Sequence, residues 1–131
     1  MTTQPKPNGA RATDLRELTI DVNHVGSHSA RHALSAVVEV LAGDAGATID
    51  ELDLIDLGVG EIVDQFVHTS NWRLRAQTRS GVLTLTVQAD EHTALSLLKD
   101  PIVSTAFTTN HYLDHTLTLS RELTAHRLAG S

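Results

Sequence analysis

Two stretches near the middle of the chain alternate strictly between apolar and polar residues. Residues 72–79 read Trp-Arg-Leu-Arg-Ala-Gln-Thr-Arg, and residues 83–89 read Leu-Thr-Leu-Thr-Val-Gln-Ala. A period of two predicts strands that bury one face, and the Ser80-Gly81 pair between them predicts a tight turn. The same alternation predicts a first strand at 18–22 and a last strand at 115–123.

Apolar residues at helical spacing fill the region between the first strand and this hairpin. The first such set consists of Ala30, Leu34, Val37 and Leu41. It predicts a helix that ends at the glycines of 43–46. Thr48 followed three residues later by Glu51 is the pattern of a capping box, so a second helix should begin there and run to about residue 68. The predicted core face of this second helix consists of Leu52, Ile55, Val59, Ile62, Val63 and Phe66.

The remainder of the chain is less regular. Residues 93–98 predict a short helix that Pro101 ends, and the mixed pattern of 102–112 favours a further helix. The resulting order predicts an α+β fold, in which a two-layer α/β sandwich has a mixed, mostly antiparallel sheet covered on one face by helices. We expect residues 15–125 to form a single domain, residues 1–14 a flexible tail and residues 126–131 a frayed C-terminus.

Composition narrows the class of protein. A chain of 131 residues suits one domain, and its 40% hydrophobic content is ordinary. Cysteine is absent, which excludes disulfides, cysteine nucleophiles and cysteine metal sites. No apolar run approaches the roughly 20 residues of a membrane span, and the N-terminus lacks a signal-peptide core. The expected location is the cytoplasm, with no membrane partner.

Charge is distributed unevenly along the chain. The net charge is −6, and residues 32–72 contain eight of the sixteen acidic residues but no Lys or Arg. Direct nucleic-acid binding needs a basic face, so it is not expected. An acidic segment suits a basic protein partner, although a run of charge is also the ordinary way to keep a helix surface soluble.

Within the acidic segment, residues 55–67 read Ile-Asp-Leu-Gly-Val-Gly-Glu-Ile-Val-Asp-Gln-Phe-Val. With the preceding strand and helix and the following hairpin, this motif resembles the GHKL (histidine-kinase-like) ATPase domain. It is most similar in pattern to the anti-sigma-factor serine kinases of that group, over roughly residues 15–123. In that family the second helix bears a Glu that activates the attacking group and, four residues later, an Asn that helps to hold Mg²⁺. The matching residues are Glu61 and Gln65.

The resemblance also implies an Asp after the hairpin that binds adenine, followed by glycine-rich phosphate loops. Asp90 matches the Asp, but Glu91, His92 and Thr93 stand where glycines should follow, and no glycine occurs between Gly81 and Gly130. Phosphate loops direct backbone N–H groups at oxygens in conformations that glycine adopts cheaply. We therefore expect a degenerate nucleotide site and no bound cofactor, with ATP and Mg²⁺ as the cofactors only if the site is active.

The main functional hypothesis is a regulatory domain resembling an anti-sigma factor, which sequesters a sigma factor by protein contact without competent ATP hydrolysis. The resemblance implies an antagonist protein that releases the sigma factor, and homodimerisation. The predicted partner-binding residues are Asp53, Asp56, Asp64, Leu54 and Leu57. The alternative is an ATP-dependent serine/threonine kinase that phosphorylates the antagonist, with Glu61 as its catalytic base and Gln65 and Asp90 binding metal and nucleotide.

The eight histidines raise a third hypothesis, a metal site. His28 and His32 have the i, i+4 spacing that zinc favours on a helix, with Glu39 as a third ligand. His111 and His115 share that spacing but span a predicted junction between elements. An exposed polar face of the first helix already explains the first set, so no metal ligands are expected.

Overall fold

The computed structural model describes residues 16–23, 27–66 and 71–124, which form five strands and four helices. In chain order these are β1 (Arg16–Asn23), α1 (Ser27–Asp44), α2 (Ile49–Gln65), β2 (Asn71–Arg79), β3 (Val82–Gln88), α3 (Glu91–Lys99), α4 (Pro101–Ala106), β4 (Thr109–Leu113) and β5 (Thr116–Glu122). The predicted tails, 1–14 and 126–131, lie outside these ranges.

The strands form one sheet in the order β1-β2-β3-β5-β4. The predicted α+β class is confirmed. All four strand pairings are antiparallel, however, so the sheet is not mixed as predicted. Hairpins join β2 to β3 and β4 to β5, and the helix pair after β1 returns the chain antiparallel to it. β4 runs in the same direction as β3, but β5 lies between these two strands, so they do not pair.

One face of the sheet is buried beneath the helices. In β2 the buried residues are Leu74, Ala76 and Thr78, and the alternate residues Arg73, Arg75 and Arg79 are exposed. The same alternation buries Leu83, Leu85 and Val87 in β3 and Leu117 and Leu119 in β5. Among the described side chains, the buried hydrophobic core is aliphatic apart from Phe66 and Phe107. The two-layer arrangement is thus the direct result of the period-two pattern.

The predicted capping box begins α2. Thr48 Oγ1 accepts a hydrogen bond from the Glu51 backbone N–H at 3.1 Å, and Glu51 Oε1 accepts one from the Thr48 backbone N–H at 3.0 Å. The predicted core face is buried at five positions and partly buried at Leu52. The helix ends at Gln65, and residues 67–70, into which it was predicted to continue, lie outside the described residues.

The prediction of a helix over 102–112 is wrong in its second half. Asp100 and Pro101 start α4, which ends where the Phe107 N–H donates to the Val103 carbonyl at 2.8 Å. The chain then enters β4 and turns through Asp114 and His115, whose φ angles of 53° and 62° suit a two-residue hairpin. This turn lacks the glycine that usually marks such hairpins, which is why the pattern concealed it.

Within the described residues, no helix is long and apolar enough to span a bilayer.

Candidate functional site

A pair of carboxyl groups joins α2 to the junction between α3 and α4. The Glu61 side chain, on α2, is hydrogen-bonded to that of Asp100, and both residues are partly buried. Asp100 also caps α4, because its Oδ1 accepts hydrogen bonds from the backbone N–H groups of Ile102 at 2.8 Å and Val103 at 3.2 Å. Two carboxyl groups can share a hydrogen bond only when one of them is protonated.

The contact between these two carboxyl groups shifts their pKa values in opposite directions. The hydrogen bond to Asp100 is the main cause that raises the pKa of Glu61; burial and the negative charges of Asp100 and Asp64 add to it, while Arg31 opposes it. The hydrogen bond from Glu61 is likewise the main cause that lowers the pKa of Asp100, against the effect of burial and with help from the two capping N–H groups. When the pair holds one proton, Glu61 is therefore the favoured donor and Asp100 the acceptor.

Close packing of α4 on α2 fixes the position of Asp100. A Cβ added at Gly58 would lie 2.8 Å from both the Ala106 Cβ and the Phe107 Cε2, so only glycine admits this approach. Gly58 precedes Glu61 by one turn of the same helix. The flank of α2 that bears Glu61 is therefore covered by α4 and its cap.

Arg31 reaches α2 from the other side. Its Nη2 lies 2.6 Å from the position of a Cβ on Gly60, so the guanidinium rests on the helix backbone beside Glu61. Arg31, His32 and Ser35 of α1 line a cleft of about 330 Å³ together with Asp56. Asp56 was predicted to bind a partner from the exposed face, but the structure places it in this cleft between the helices.

The other predicted partner-binding residues divide into two groups. Asp53, Leu57 and Asp64 are exposed and fall within about 40° of one another on a helix of 3.6 residues per turn. Leu57 is 48% exposed and lies between the two acidic residues on this face. Leu54 is partly buried and packs against the core. We call Asp53, Leu57 and Asp64 the outward stripe of α2.

Of the residues predicted to hold nucleotide, only Gln65 lies beside Glu61. It is one turn further along the same helix and is exposed at the last position of α2. Asp90 caps α3, accepting a hydrogen bond from the Thr93 N–H at 2.7 Å, and that bond is the main cause that lowers the pKa of Asp90. Asp90 and Asp100 stand at opposite ends of α3, which separates them by about 15 Å at 1.5 Å per residue.

Regular helix occupies the segment where the resemblance implied a phosphate loop. The first N–H groups of α3 bond to its own cap: Thr93 donates to the Asp90 side chain and Ala94 to the Asp90 carbonyl at 2.9 Å. Helical N–H groups beyond the first turn point along the helix rather than towards a ligand. The start of α3 is thus a capped helix with two acidic residues, Asp90 and Glu91, and not a loop that binds phosphate.

Sequence reasoning did not identify a buried ion pair at the start of α2. Glu51 is only 3% exposed, and its Oε2 lies 3.3 Å from the Arg121 Nε. Arg121 also donates to the carbonyls of Thr105 and Ala106, both at 3.1 Å, and the Thr124 N–H donates to Glu51 at 3.1 Å. Burial acts to raise the pKa of Glu51, but the hydrogen bonds that Glu51 accepts from Thr48, Thr124 and Arg121 outweigh burial and lower it overall.

Arg31 and Asp100 were missed as well. One sequence signal pointed towards them, since Gly58 and Gly60 lie in the middle of a predicted helix, where each glycine costs about 1 kcal/mol relative to alanine. Such glycines usually mark a close approach of another group. What approaches each of them depends on residues 29 to 49 positions away, which a local pattern does not reveal.

The metal hypothesis gains no support from the described residues, whose side chains include no group of three candidate ligands. The side chain of His28, one of the predicted pair, lies outside the described residues. His111 belongs to β4, and His115 to the following turn.

Comparison with known proteins does not assign the chain to a family. No protein-family model matches it, and no curated protein matches it. A functional conclusion therefore depends on the acid pair and the outward stripe.

Proposed function

We propose that this protein is a regulatory protein-binding domain of the anti-sigma-factor type, which sequesters a basic partner through the outward stripe of α2. The observation that carries the proposal is the exposure of Leu57 between Asp53 and Asp64. An exposed apolar side chain between two acidic ones suits a binding surface, where the apolar contact supplies affinity and the charges accelerate encounter. The resemblance names a sigma factor as that partner and an antagonist protein as its competitor.

The acid pair supports binding rather than catalysis. A general base must direct its carboxylate at the substrate, whereas the Glu61 side chain is hydrogen-bonded to a second acid, Asp100. Nucleotide phosphates beside Glu61 would meet the negative charges of Asp100 and Asp64, against the single positive charge of Arg31. This balance of charge disfavours a triphosphate.

The first experiment measures partner capture and association rate. Tagged wild-type protein is used to capture proteins from its native cells, and mass spectrometry should identify a sigma factor. With that factor purified, the Asp53→Lys/Asp64→Lys variant should associate about tenfold more slowly at low salt, because electrostatic steering is reversed. Raising the salt concentration should narrow this difference.

A matched control variant distinguishes the effect of the outward stripe from the effect of net charge. Asp44 and Glu91 are exposed acids at the ends of α1 and α3, so Asp44→Lys/Glu91→Lys makes the same change in charge elsewhere. The association rate of this control variant should lie within about twofold of the wild-type rate. Equal slowing in both variants would show that total charge, rather than the stripe, governs association, and capture of no transcription factor would count against the proposal as a whole.

A nucleotide titration tests the kinase alternative. A ligand that binds only the native state at 100 times its Kd stabilises it by about 2.7 kcal/mol, or several degrees in Tm. We expect about 5 mM ATP with Mg²⁺ to change the Tm by less than about 1 °C. A rise of several degrees that disappears in the Glu61→Ala variant would instead favour the ATP-dependent kinase.

A further inference from the structure

The two edges of the sheet differ in chemistry. The edge strand β1 contains Arg16, Glu17 and Asp21, whereas the opposite edge strand, β4, reads Thr-Asn-His-Tyr-Leu with no Asp, Glu, Lys, Arg, Pro or Gly. Proteins normally protect an edge against further pairing with charges, prolines or bulges. Of the two, β4 has none of these protections.

The hairpin geometry identifies the free hydrogen-bonding groups of β4. Leu113 and Thr116 flank the two-residue turn, so they form the hydrogen-bonded pair that closes it. Because such pairs alternate along an antiparallel ladder, the N–H and C=O groups of Asn110 and Tyr112 point away from β5. Among the described residues, no backbone hydrogen bond outside the strand ladders involves these four groups.

The edge is also preformed. The Tyr112 hydroxyl donates a hydrogen bond to the Ala89 carbonyl at 2.8 Å, which anchors β4 to the end of β3. Thr109, Asn110, His111 and Leu113 are exposed, with Leu113 at 59%. A strand already held in extended form loses little conformational freedom when another strand pairs with it.

We propose that β4 pairs with β4 of a second copy of this chain, antiparallel and about a two-fold axis at His111, to give a continuous ten-stranded sheet. In this register Asn110 of each copy faces Tyr112 of the other. Both donors and both acceptors of each strand are then used, giving four hydrogen bonds across the axis.

An identical strand is the occupant that this edge fits. The outward N–H and C=O groups belong to residues two positions apart, Asn110 and Tyr112. A two-fold axis midway between these residues therefore places the donors of each strand opposite the acceptors of the other. The two copies each carry a net charge of −6, so they approach with least repulsion through a segment that bears no Asp or Glu. The two His111 side chains would lie directly opposite each other, with Cα atoms about 4.5 Å apart in a non-hydrogen-bonded pair.

The position of His111 at the axis provides a sharp test on the full-length chain. Sedimentation equilibrium of the wild type should show a monomer–dimer equilibrium. His111→Lys and His111→Asp each place like charges at the axis and should weaken dimerisation about tenfold or more. An equimolar mixture of the two variants should restore it, because opposite charges then face each other. His92→Lys, the same substitution at an exposed histidine of α3, should leave dimerisation unchanged.

Hydrogen exchange excludes the other occupants. The amides of Asn110 and Tyr112 should gain protection with protein concentration in the wild type but not in His111→Lys. Protection that is independent of concentration would mean that the chain's own residues 125–131 cover the edge, and would overturn the proposal. A monomer up to about 1 mM, a dimer unaffected by His111→Lys, or variants that fail to recover on mixing would overturn it equally.

Discussion

Helix α2 carries two glutamates, ten residues apart, in opposite electrostatic situations. Glu51 at its start is buried and paired with Arg121, and its pKa is lowered. Glu61 near its end is partly exposed and paired with another acid, Asp100, and its pKa is raised. The first carboxylate is matched by a cation and two N–H donors, whereas the second is matched by a group that repels it once both are ionised.

The two pairs hold opposite ends of α4. Asp100 is the N-cap of that helix, and Arg121 binds the carbonyls of Thr105 and Ala106 at its other end. At the Arg121 end, opposite charges and hydrogen bonds favour the same contact, whereas at the other end the cap of Asp100 is offset by its contact with a second acid. An acid pair stabilises poorly at neutral pH, so the Glu61 end is where a functional or evolutionary explanation is needed.

The largest expected effect comes from breaking the buried pair. Arg121→Met should lower the free energy of unfolding by about 3 kcal/mol, because Glu51 is left as a buried charge without its cation. Urea denaturation at pH 7 measures this loss. In Glu51→Gln/Arg121→Met the penalty should be smaller than the sum of the single changes, and strict additivity would show that the two side chains do not interact.

A smaller effect is expected where α4 packs on α2. Gly58→Ala should destabilise by about 1–2 kcal/mol, since its Cβ meets Ala106 and Phe107, partly offset by the higher helix propensity of alanine. Gly43 is the matched control, because an added Cβ there meets nothing within 4 Å. Gly43→Ala should stabilise by up to about 1 kcal/mol. Urea denaturation of both variants would contradict the close packing if their effects had the same sign.

The smallest effect concerns the acid pair and depends on pH. A pKa of Glu61 above its ordinary value near 4.5 gives stability that is fully present below pH 4.5 and is lost as the pH rises through the folded-state value. Glu61→Gln keeps a donor towards Asp100 at every pH. The variant should therefore match wild type near pH 4.5 and exceed it at pH 7 by less than about 1 kcal/mol.

Thermal or urea unfolding of wild type and Glu61→Gln across pH 4.5–7 checks this sign. Glu51 provides the opposite reference. Its lowered pKa gives stability that is present above about pH 4.5 and is lost as the pH falls through the lower folded-state value. A Glu61→Gln variant that is less stable than wild type at pH 7 would mean that the ionised Glu61 is stabilising, and that Arg31 rather than Asp100 dominates its surroundings.

Much of the fold could be predicted from local pattern. The hairpin of β2 and β3, the capping box of Thr48 and Glu51 and the buried face of α2 are each set by residues only a few positions apart. The β4–β5 hairpin was missed because Asp114 and His115 adopt positive φ angles without glycine. The exposed acids and Leu57 could be recognised as a surface from the sequence. The position of Asp56 was predicted wrongly, because the packing of α1 beside it depends on the tertiary structure.

By itself, the amino-acid sequence determined the periodicity of the strands and helices, the caps, the concentration of acid in one segment and the lack of glycines where phosphate loops would stand. Only the tertiary structure decided that Glu61 meets Asp100, that Glu51 meets Arg121 across 70 residues, and that Arg31 and Phe107 lie against Gly60 and Gly58. The physical reason is the distance along the chain over which each effect acts. Periodicity and capping act within a few residues, whereas the pKa of a carboxyl group depends on whichever charges the folded chain brings within a few ångströms of it.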